Sequence, residues 1–208
     1  DNGSDFAGNI PVEQLRRSAR DKLRLPSNEF MFLFVGQHIW EKNLEFLLEA
    51  LAEIRTLPFR MYFIGSGYAA SELRRKTEDL YLTDKVIFMG SITERERLKL
   101  YYTAADLFLF PSLYDNAPLV VREAAALHTP SLLIKGSTSA EVIHDSVNGF
   151  LSDNSVTAYA SRISQLLETP QLIAEAGEAA SHSIARSWED VAEEVYDRYV
   201  NLIHRSGN

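Results

Sequence analysis

Residues 30–55 read FMFLFVGQHIWEKNLEFLLEALAEIR and contain a continuously apolar run, a glycine and an amphipathic stretch. The run 30–35 is rich in aromatic residues and stops at Gly36, as expected of a strand that is buried on both faces. The stretch 43–55 places apolar residues three and four positions apart, as one face of a helix does. Together these features predict a strand–helix unit of a parallel sheet.

The same pattern recurs along the chain. Further strands are predicted at residues 60–64, 86–89, 107–110 and 131–134, and helices at 70–80, 94–104, 119–127, 140–143, 157–167, 170–185 and 188–203. Strands that alternate with helices predict the fold class α/β. The crossovers between parallel strands are expected to be right-handed. We expect a Rossmann-like, doubly wound parallel sheet flanked by helices, with a helical C-terminal segment.

Composition narrows the classes of function. With 208 residues, 46% of them hydrophobic, the chain has enough apolar material for one domain. Its 29 acidic and 21 basic residues give a net charge of -8, which disfavours nucleic acid as a partner. Cysteine is absent and no histidine lies at a metal-ligand spacing, so neither a disulfide nor a catalytic metal is expected. No apolar run approaches the roughly 20 residues that span a bilayer.

Ligands of doubly wound sheets bind beyond the carboxyl ends of the strands. There, Gly36 permits close approach of a ligand, and Lys42 precedes a predicted helix, where an ammonium group can pair with phosphate. The turn Gly65-Ser66-Gly67 starts like a dinucleotide fingerprint but lacks its third glycine, which disfavours a dehydrogenase-type domain. Taken singly, each glycine is more often part of an ordinary turn.

The segment after the fourth predicted strand carries the strongest signal. Asp115 lies in the loop and Glu123 one turn or so into the following helix, with seven residues between them. The start of that helix presents unpaired backbone amides, which together with the helix dipole suit a diphosphate. Carboxylates accept hydrogen bonds from sugar diols. In the alternative, purely structural interpretation, Asp115-Asn116 caps the helix and Glu123 is a solvated helix residue.

This pattern resembles the donor domain of the retaining, GT-B-fold glycosyltransferases of the glycosyl transferases group 1 family, which carry two glutamates separated by seven residues. The likeness runs from residues 2–5 to 187–189. Matching motifs follow in order at 35–36, 41–42, 64–67, 88–90, 105–106, 111–112, 123–124, 129–130, 140–141 and 148–150. The resemblance implies a single donor-binding domain over residues 1–208. We expect it to be a fragment of a two-domain enzyme whose N-terminal acceptor domain is absent.

The resemblance also implies roles for individual residues. Lys42 is expected to contact the donor diphosphate, Glu123 the ribose hydroxyls and Asp115 the hydroxyls of the transferred sugar. The catalytic residue is not identified from the sequence; Asp115 is a candidate, and any catalytic base is expected in the other domain. The amides near residues 119 and 120 are expected to hold the distal phosphate, and residues 90–92 to line the base pocket. The implied donor-binding residues are Gly36, Gln37, Lys42, Ser91, Ile92, Asp115, Ala117, Leu119, Val120 and Glu123.

The chain departs from the family pattern at several of these positions. Gln37 stands where the family has an arginine, so Lys42 is expected to carry more of the diphosphate charge, with help from Lys135 or Arg122. The other departures are Asp115 for the first glutamate, Ala117-Pro118 for a phenylalanine-glycine pair and Ser137-Thr138 for a glycine pair. The loss of the arginine is expected to lower the affinity for the diphosphate. The shorter Asp115 and the Ala117-Pro118 pair are expected to change the reach toward the sugar.

The function that the resemblance implies is metal-independent transfer of a glycosyl group, with retention, from a nucleoside-diphosphate sugar to a polysaccharide or lipid acceptor. No cofactor is expected beside this substrate. The expected location is the cytoplasm, with peripheral membrane contact through the other domain, and the isolated domain is expected to be inactive. The alternative is a non-catalytic nucleotide-binding or interaction module on the same fold.

Other residues are interpreted structurally. His38 is expected to be incidental, and Tyr101 and Tyr102 to pack on the sheet. Thr169 is expected to cap the helix that begins at Pro170.

Overall fold

The computed structural model describes residues 12–26, 28–115, 119–185 and 196. Its strands are β1 (Phe30–Val35), β2 (Phe59–Ile64), β3 (Val86–Gly90), β4 (Leu107–Phe110), β5 (Ser131–Ile134) and β6 (Phe150–Ser152). Its helices are α1 (Val12–Lys22), α2 (Leu44–Glu53), α3 (Ala70–Asp79), α4 (Arg95–Ala104), α5 (Leu119–Ala126), α6 (Val156–Glu168) and α7 (Pro170–Ser183). Short 3₁₀ turns span Trp40–Lys42 and Thr138–Val142.

The six strands form one parallel sheet in the order β3-β2-β1-β4-β5-β6. The chain builds outward from β1 to β3, then returns to the other side of β1 with β4. This order confirms the predicted doubly wound, Rossmann-like sheet, and it places the reversal of strand order between β1 and β4. Parallel sheets are covered by helices on both faces, which explains why residues 107–110 and 131–134 are buried throughout.

The core lies on both sides of β1 and β4. Phe34 is fully buried, and its ring stacks on Phe110 of β4 with the ring centroids 5.9 Å apart. Phe32 stacks in the same way on Phe59 of β2, at 5.2 Å. Buried aromatic rings of this size dominate core energetics. They therefore make the centre of the sheet a rigid base for the loops that leave it.

Two elements were missing from the sequence prediction. Strand β6 has three residues, too few to show a period. Helix α1 is mostly charged, and it is held by arginines: Arg16 donates to the carbonyls of Thr103 and Ala105, and Arg20 to that of Ala104 and to the Asp106 carboxylate. These donors satisfy carbonyl groups at the end of α4, which a helix terminus leaves unpaired.

Two smaller expectations need correction. The α-helix predicted at residues 140–143 is wrong, because residues 140–142 belong to the 3₁₀ turn Thr138–Val142 and Ile143 follows it in an extended conformation. Pro170 does begin α7, but Thr169 does not cap it, because the Thr169 hydroxyl donates to the carbonyl of Gln165 in α6. The predicted helix 188–203 lies outside the described residues, apart from Tyr196. In the described part of the chain, no helix is both long and apolar enough to cross a membrane.

Candidate functional site

The candidate site lies at the carboxyl ends of β1 and β4, where the strand order reverses. The ladder between these strands covers Phe32↔Leu107 and Leu33↔Phe108 and does not extend to their ends. The segments that follow β1 and β4 therefore leave the sheet side by side. In doubly wound sheets the crevice at this reversal is where ligands bind.

Lys42 and Asp115 meet across this crevice. Lys42 ends the 3₁₀ turn after β1, and its Nζ lies 2.5 Å from Oδ2 of Asp115 in the segment after β4. The two side chains are 18% and 20% exposed, so the pair is shielded but still reachable by a ligand. The next residue, Asn43, adopts a left-handed conformation and donates from Nδ2 to the carbonyl of Pro111 over 3.3 Å. The turn after β1 is thus fixed to the β4 segment by two contacts.

The β4 segment is held on its other side by the turn after β5. The Thr138 hydroxyl accepts from the Asp115 N–H at 2.8 Å and donates to the Asp115 carbonyl at 2.9 Å. Fully buried Ser112 points back toward the first turn, with its hydroxyl 3.5 Å from the carbonyl of Glu41. Asp115 therefore lies between the turns that follow β1 and β5, in agreement with the position of β4 between these two strands.

Glu123 is a buried carboxylate of α5, only 3% exposed. Its Oε1 accepts from Arg95 and its Oε2 from the hydroxyl of Tyr102, each over 2.9 Å. Burial, and after it the neighbouring carboxylate, raise the pKa of Tyr102 well above its ordinary value, so the phenol stays a donor. The alternative of a solvated helix residue is wrong for Glu123.

Sequence reasoning missed Arg95 and the polar role of Tyr102. These residues are seven apart in α4, two helical turns, so they share one face of the helix. That spacing was available as a signal, but it does not reveal which residue of α5 the face meets. Tyr102 does pack in the core as predicted, fully buried.

Glycines bring the first two loops together. The N–H of Gly36 donates to the carbonyl of Ile64 over 3.0 Å, and that of Gly65 to the carbonyl of Gly90 over 2.9 Å. Gly65 has φ +139°, and a Cβ built there would overlap the carbonyl oxygen of Gly36. Beside them, Ser91 donates from its hydroxyl to that of Ser66 over 2.9 Å. The carboxyl ends of β1, β2 and β3 therefore form one continuous backbone surface.

Replacement of Gly65 by alanine is expected to lower the free energy of unfolding by about 3 kcal/mol, since overpacking is added to backbone strain. Gly136→Ala is the matched control, because Gly136 also has a positive φ, +80°, but has open space around a Cβ. Urea denaturation should show the larger loss for Gly65→Ala. Equal losses would mean that the close approach of the two loops is not as tight as described.

His38 lies in the core and not in the crevice. It is 1% exposed, and its ring centroid lies 5.8 Å from that of Phe88 and 6.1 Å from that of Phe63. Burial, and then the charge of Arg74, lower the pKa of His38, which favours the neutral ring. Its side chain therefore packs between aromatic rings.

The remaining predicted residues are distributed around the crevice. Gln37 and Ser91 are exposed and Ile92 is half-buried, while Leu119 and Val120 form the half-buried first turn of α5. Ala117 lies outside the described residues, as do Asn116 and Pro118.

The two suggested helpers of Lys42 have other surroundings in the described chain. Arg122 is buried, and its Nη1 donates to the carbonyl of Ile184 over 2.9 Å, which ties it to the residue that follows α7. Lys135 is exposed and lines a separate cavity of about 420 Å³ beside β6 and α6, together with Arg162. Within the described ranges, no three histidine, aspartate or glutamate side chains are grouped in a way that could hold a metal ion.

Comparison with known proteins identifies the family. Residues 16–183 match the family model described as Glycosyl transferases group 1. The D-inositol 3-phosphate glycosyltransferase 2 of Catenulispora acidiphila is 31% identical over 201 residues, which cover 90% of this chain and 47% of that protein. The chain spans about half, or less, of the length of the curated relatives that it matches.

Solved structures share the fold. The C-terminal domain of the group 1 family protein LpcC from Francisella tularensis superposes with a TM-score of 0.72 at 20% identity, covering 86% of this chain and 93% of that domain. Anabaena HepE in complex with UDP-glucose gives a TM-score of 0.78 at 20% identity, over 96% of this chain and 56% of HepE. With a family model that matches most of its length, this chain belongs to the glycosyl transferases group 1 family.

Proposed function

We propose that the chain is the donor-binding half of a two-domain glycosyltransferase and that it holds a nucleoside-diphosphate sugar in the crevice between β1 and β4. One observation carries the proposal: a cation from the β1 loop and a carboxylate from the β4 loop converge at the reversal of strand order, Lys42 with Asp115. A donor of this kind presents a diphosphate beside sugar hydroxyls, and these are the partners that an ammonium group and a carboxylate prefer.

Donor binding replaces the ion pair between Lys42 and Asp115 with a contact of each side chain to the donor. In the free chain Lys42 is neutralised by Asp115. In the proposed complex the diphosphate takes Lys42, and the sugar hydroxyls take the oxygens of Asp115. The backbone amides of Leu119 and Val120, in the first turn of α5, add donors and a positive dipole end to the diphosphate site. Neither carboxylate nor ammonium group is then left without a partner.

The nucleoside is placed over the first three loops. Gly36 is assigned to the diphosphate side of the pocket. The segment containing Ser91 and Ile92 is assigned to the base side. Glu123 is assigned to the ribose hydroxyls. Each of its two oxygens already accepts one hydrogen bond in the free chain, from Arg95 and from Tyr102. A carboxylate oxygen has two lone pairs, so the ribose hydroxyls add their hydrogen bonds to these contacts.

The proposed chemistry is stabilisation of the leaving diphosphate without a metal. Negative charge grows on the diphosphate as the glycosidic bond breaks, and preorganised donors such as Lys42 and helix amides stabilise this charge typically by about 3–4 kcal/mol each. The acceptor, a polysaccharide or a lipid, and any base belong to the other half of the enzyme in this proposal, with transfer proceeding with retention. The chain alone is then expected to bind donor and transfer little.

Calorimetric titration of the chain with UDP, GDP and ADP tests the proposal. We expect one of the three to bind with a Kd below about 1 mM, which corresponds to about 4 kcal/mol. Failure of all three to bind would refute donor binding. If a nucleotide binds, but the longer protein neither hydrolyses nor transfers the corresponding nucleotide sugar, the site belongs to a non-catalytic nucleotide-binding module.

A further inference from the structure

Thr138, in the turn after β5, holds the backbone of the loop that carries Asp115. One hydroxyl both accepts from the Asp115 N–H and donates to the Asp115 carbonyl. The Thr138 N–H also donates to the carbonyl of Leu113 over 3.2 Å. Thr138 thus makes three hydrogen bonds, two as donor and one as acceptor, and they tie the turn after β5 to the β4 segment. The resemblance predicts a glycine here, which has no hydroxyl.

The contacts of Asp115 divide into two kinds. Lys42 contacts its carboxylate, and Thr138 contacts its backbone. When a diphosphate takes Lys42, the ion pair is lost. Of the hydrogen bonds that the described residues make to Asp115, those from Thr138 then remain. The position of the Asp115 carboxylate in a complex therefore depends on Thr138.

We propose that Thr138 is a positioning residue for the transferred sugar, which holds Asp115 within reach of the sugar hydroxyls. The proposal rests on the function proposed above. Asp115 is one methylene shorter than a glutamate, so a displacement of its backbone cannot be offset by the side chain. By fixing the backbone of Asp115, Thr138 compensates for the shorter side chain. It therefore contributes to the affinity for the sugar and not to the affinity for the nucleotide.

The test compares the affinities for a nucleoside diphosphate and for its sugar derivative. UDP with UDP-glucose and GDP with GDP-mannose are the probes, and the ratio of the two affinities isolates the contribution of the sugar. Thr138→Val keeps the shape but loses the hydroxyl, whereas Thr138→Ser keeps the hydroxyl. Thr157→Val is the matched control, since Thr157 lies on the exposed surface of α6 and its hydroxyl donates to Glu53 of α2 over 3.0 Å.

Thr138→Val is expected to reduce the ratio about tenfold while leaving diphosphate affinity within about twofold, because only hydrogen bonds that place Asp115 are lost. Thr138→Ser and Thr157→Val should keep the wild-type ratio. An unchanged ratio in Thr138→Val, an equal loss of both affinities, or a wild-type ratio near one would overturn the assignment. Wild-type chain that binds neither diphosphate would instead refute the proposed function itself.

Discussion

Lys42→Ala is expected to weaken binding of the nucleoside diphosphate by about 10- to 100-fold, since a hydrogen bond to a charged group contributes about 1.5–3 kcal/mol. The loss has two sources. The diphosphate loses its ammonium partner, and the Asp115 carboxylate, left without its ion pair, repels the anion. Calorimetry with the nucleotide that binds the wild-type chain measures the change.

Lys76→Ala provides the control for Lys42→Ala. Lys76 also pairs with carboxylates, those of Glu45 and Glu49, each at 2.8 Å, on the outer surface of α2 and α3. It has the same side chain and the same kind of partner at a distance from the crevice, so its removal should leave nucleotide affinity unchanged. Equal effects of the two variants would indicate a general effect of net charge and not a contact at the site.

Glu123→Ala is expected to lower the free energy of unfolding by about 2–4 kcal/mol, because it leaves a buried hydroxyl without its acceptor and opens a cavity. The hydroxyl belongs to Tyr102, which is fully buried. Urea denaturation measures the loss. Glu175→Ala, at an exposed position of α7 where the carboxylate accepts from Gln171, should change stability by less than about 0.5 kcal/mol.

A double-mutant cycle with Tyr102→Phe separates the two contributions. Each single variant already breaks the Tyr102–Glu123 hydrogen bond, so the double variant should lose less stability than the sum of the single ones. Strict additivity would show that the Tyr102–Glu123 hydrogen bond contributes nothing. Because both side chains lie on the helices beside the crevice, the cycle also shows how firmly α4 and α5 are joined there.

The sheet was largely predictable from the sequence, and the reason is physical. The strands at residues 30–35, 107–110 and 131–134 have the observed bounds, since strands covered on both faces read as continuous apolar runs ended by a turn. Helix α1 was missed because its stability depends on Arg16 and Arg20 meeting carbonyls more than 80 residues away. Local periodicity contains no such information.

The site was predictable in position more than in contacts. The rule for doubly wound sheets placed Lys42 and Asp115 at the same edge, and the structure brings them into an ion pair. The partners of Glu123 and the hydrogen bonds between Thr138 and Asp115 were not predicted, because they depend on how helices and loops from different parts of the chain pack. The exchange of a glycine pair for Ser137-Thr138 was visible, but its consequence was not.

The central claim is that the crevice between β1 and β4 binds the diphosphate of the donor. Amide chemical-shift mapping of the ¹⁵N-labelled chain during titration with UDP and with GDP tests it most directly. The predicted result is a set of saturating shifts grouped at Gly36, Lys42, Asp115, Leu119 and Val120, with the side of β6 and α6 unaffected. Shifts grouped around Lys135 and Arg162, or the absence of saturating shifts with either nucleotide, would contradict it.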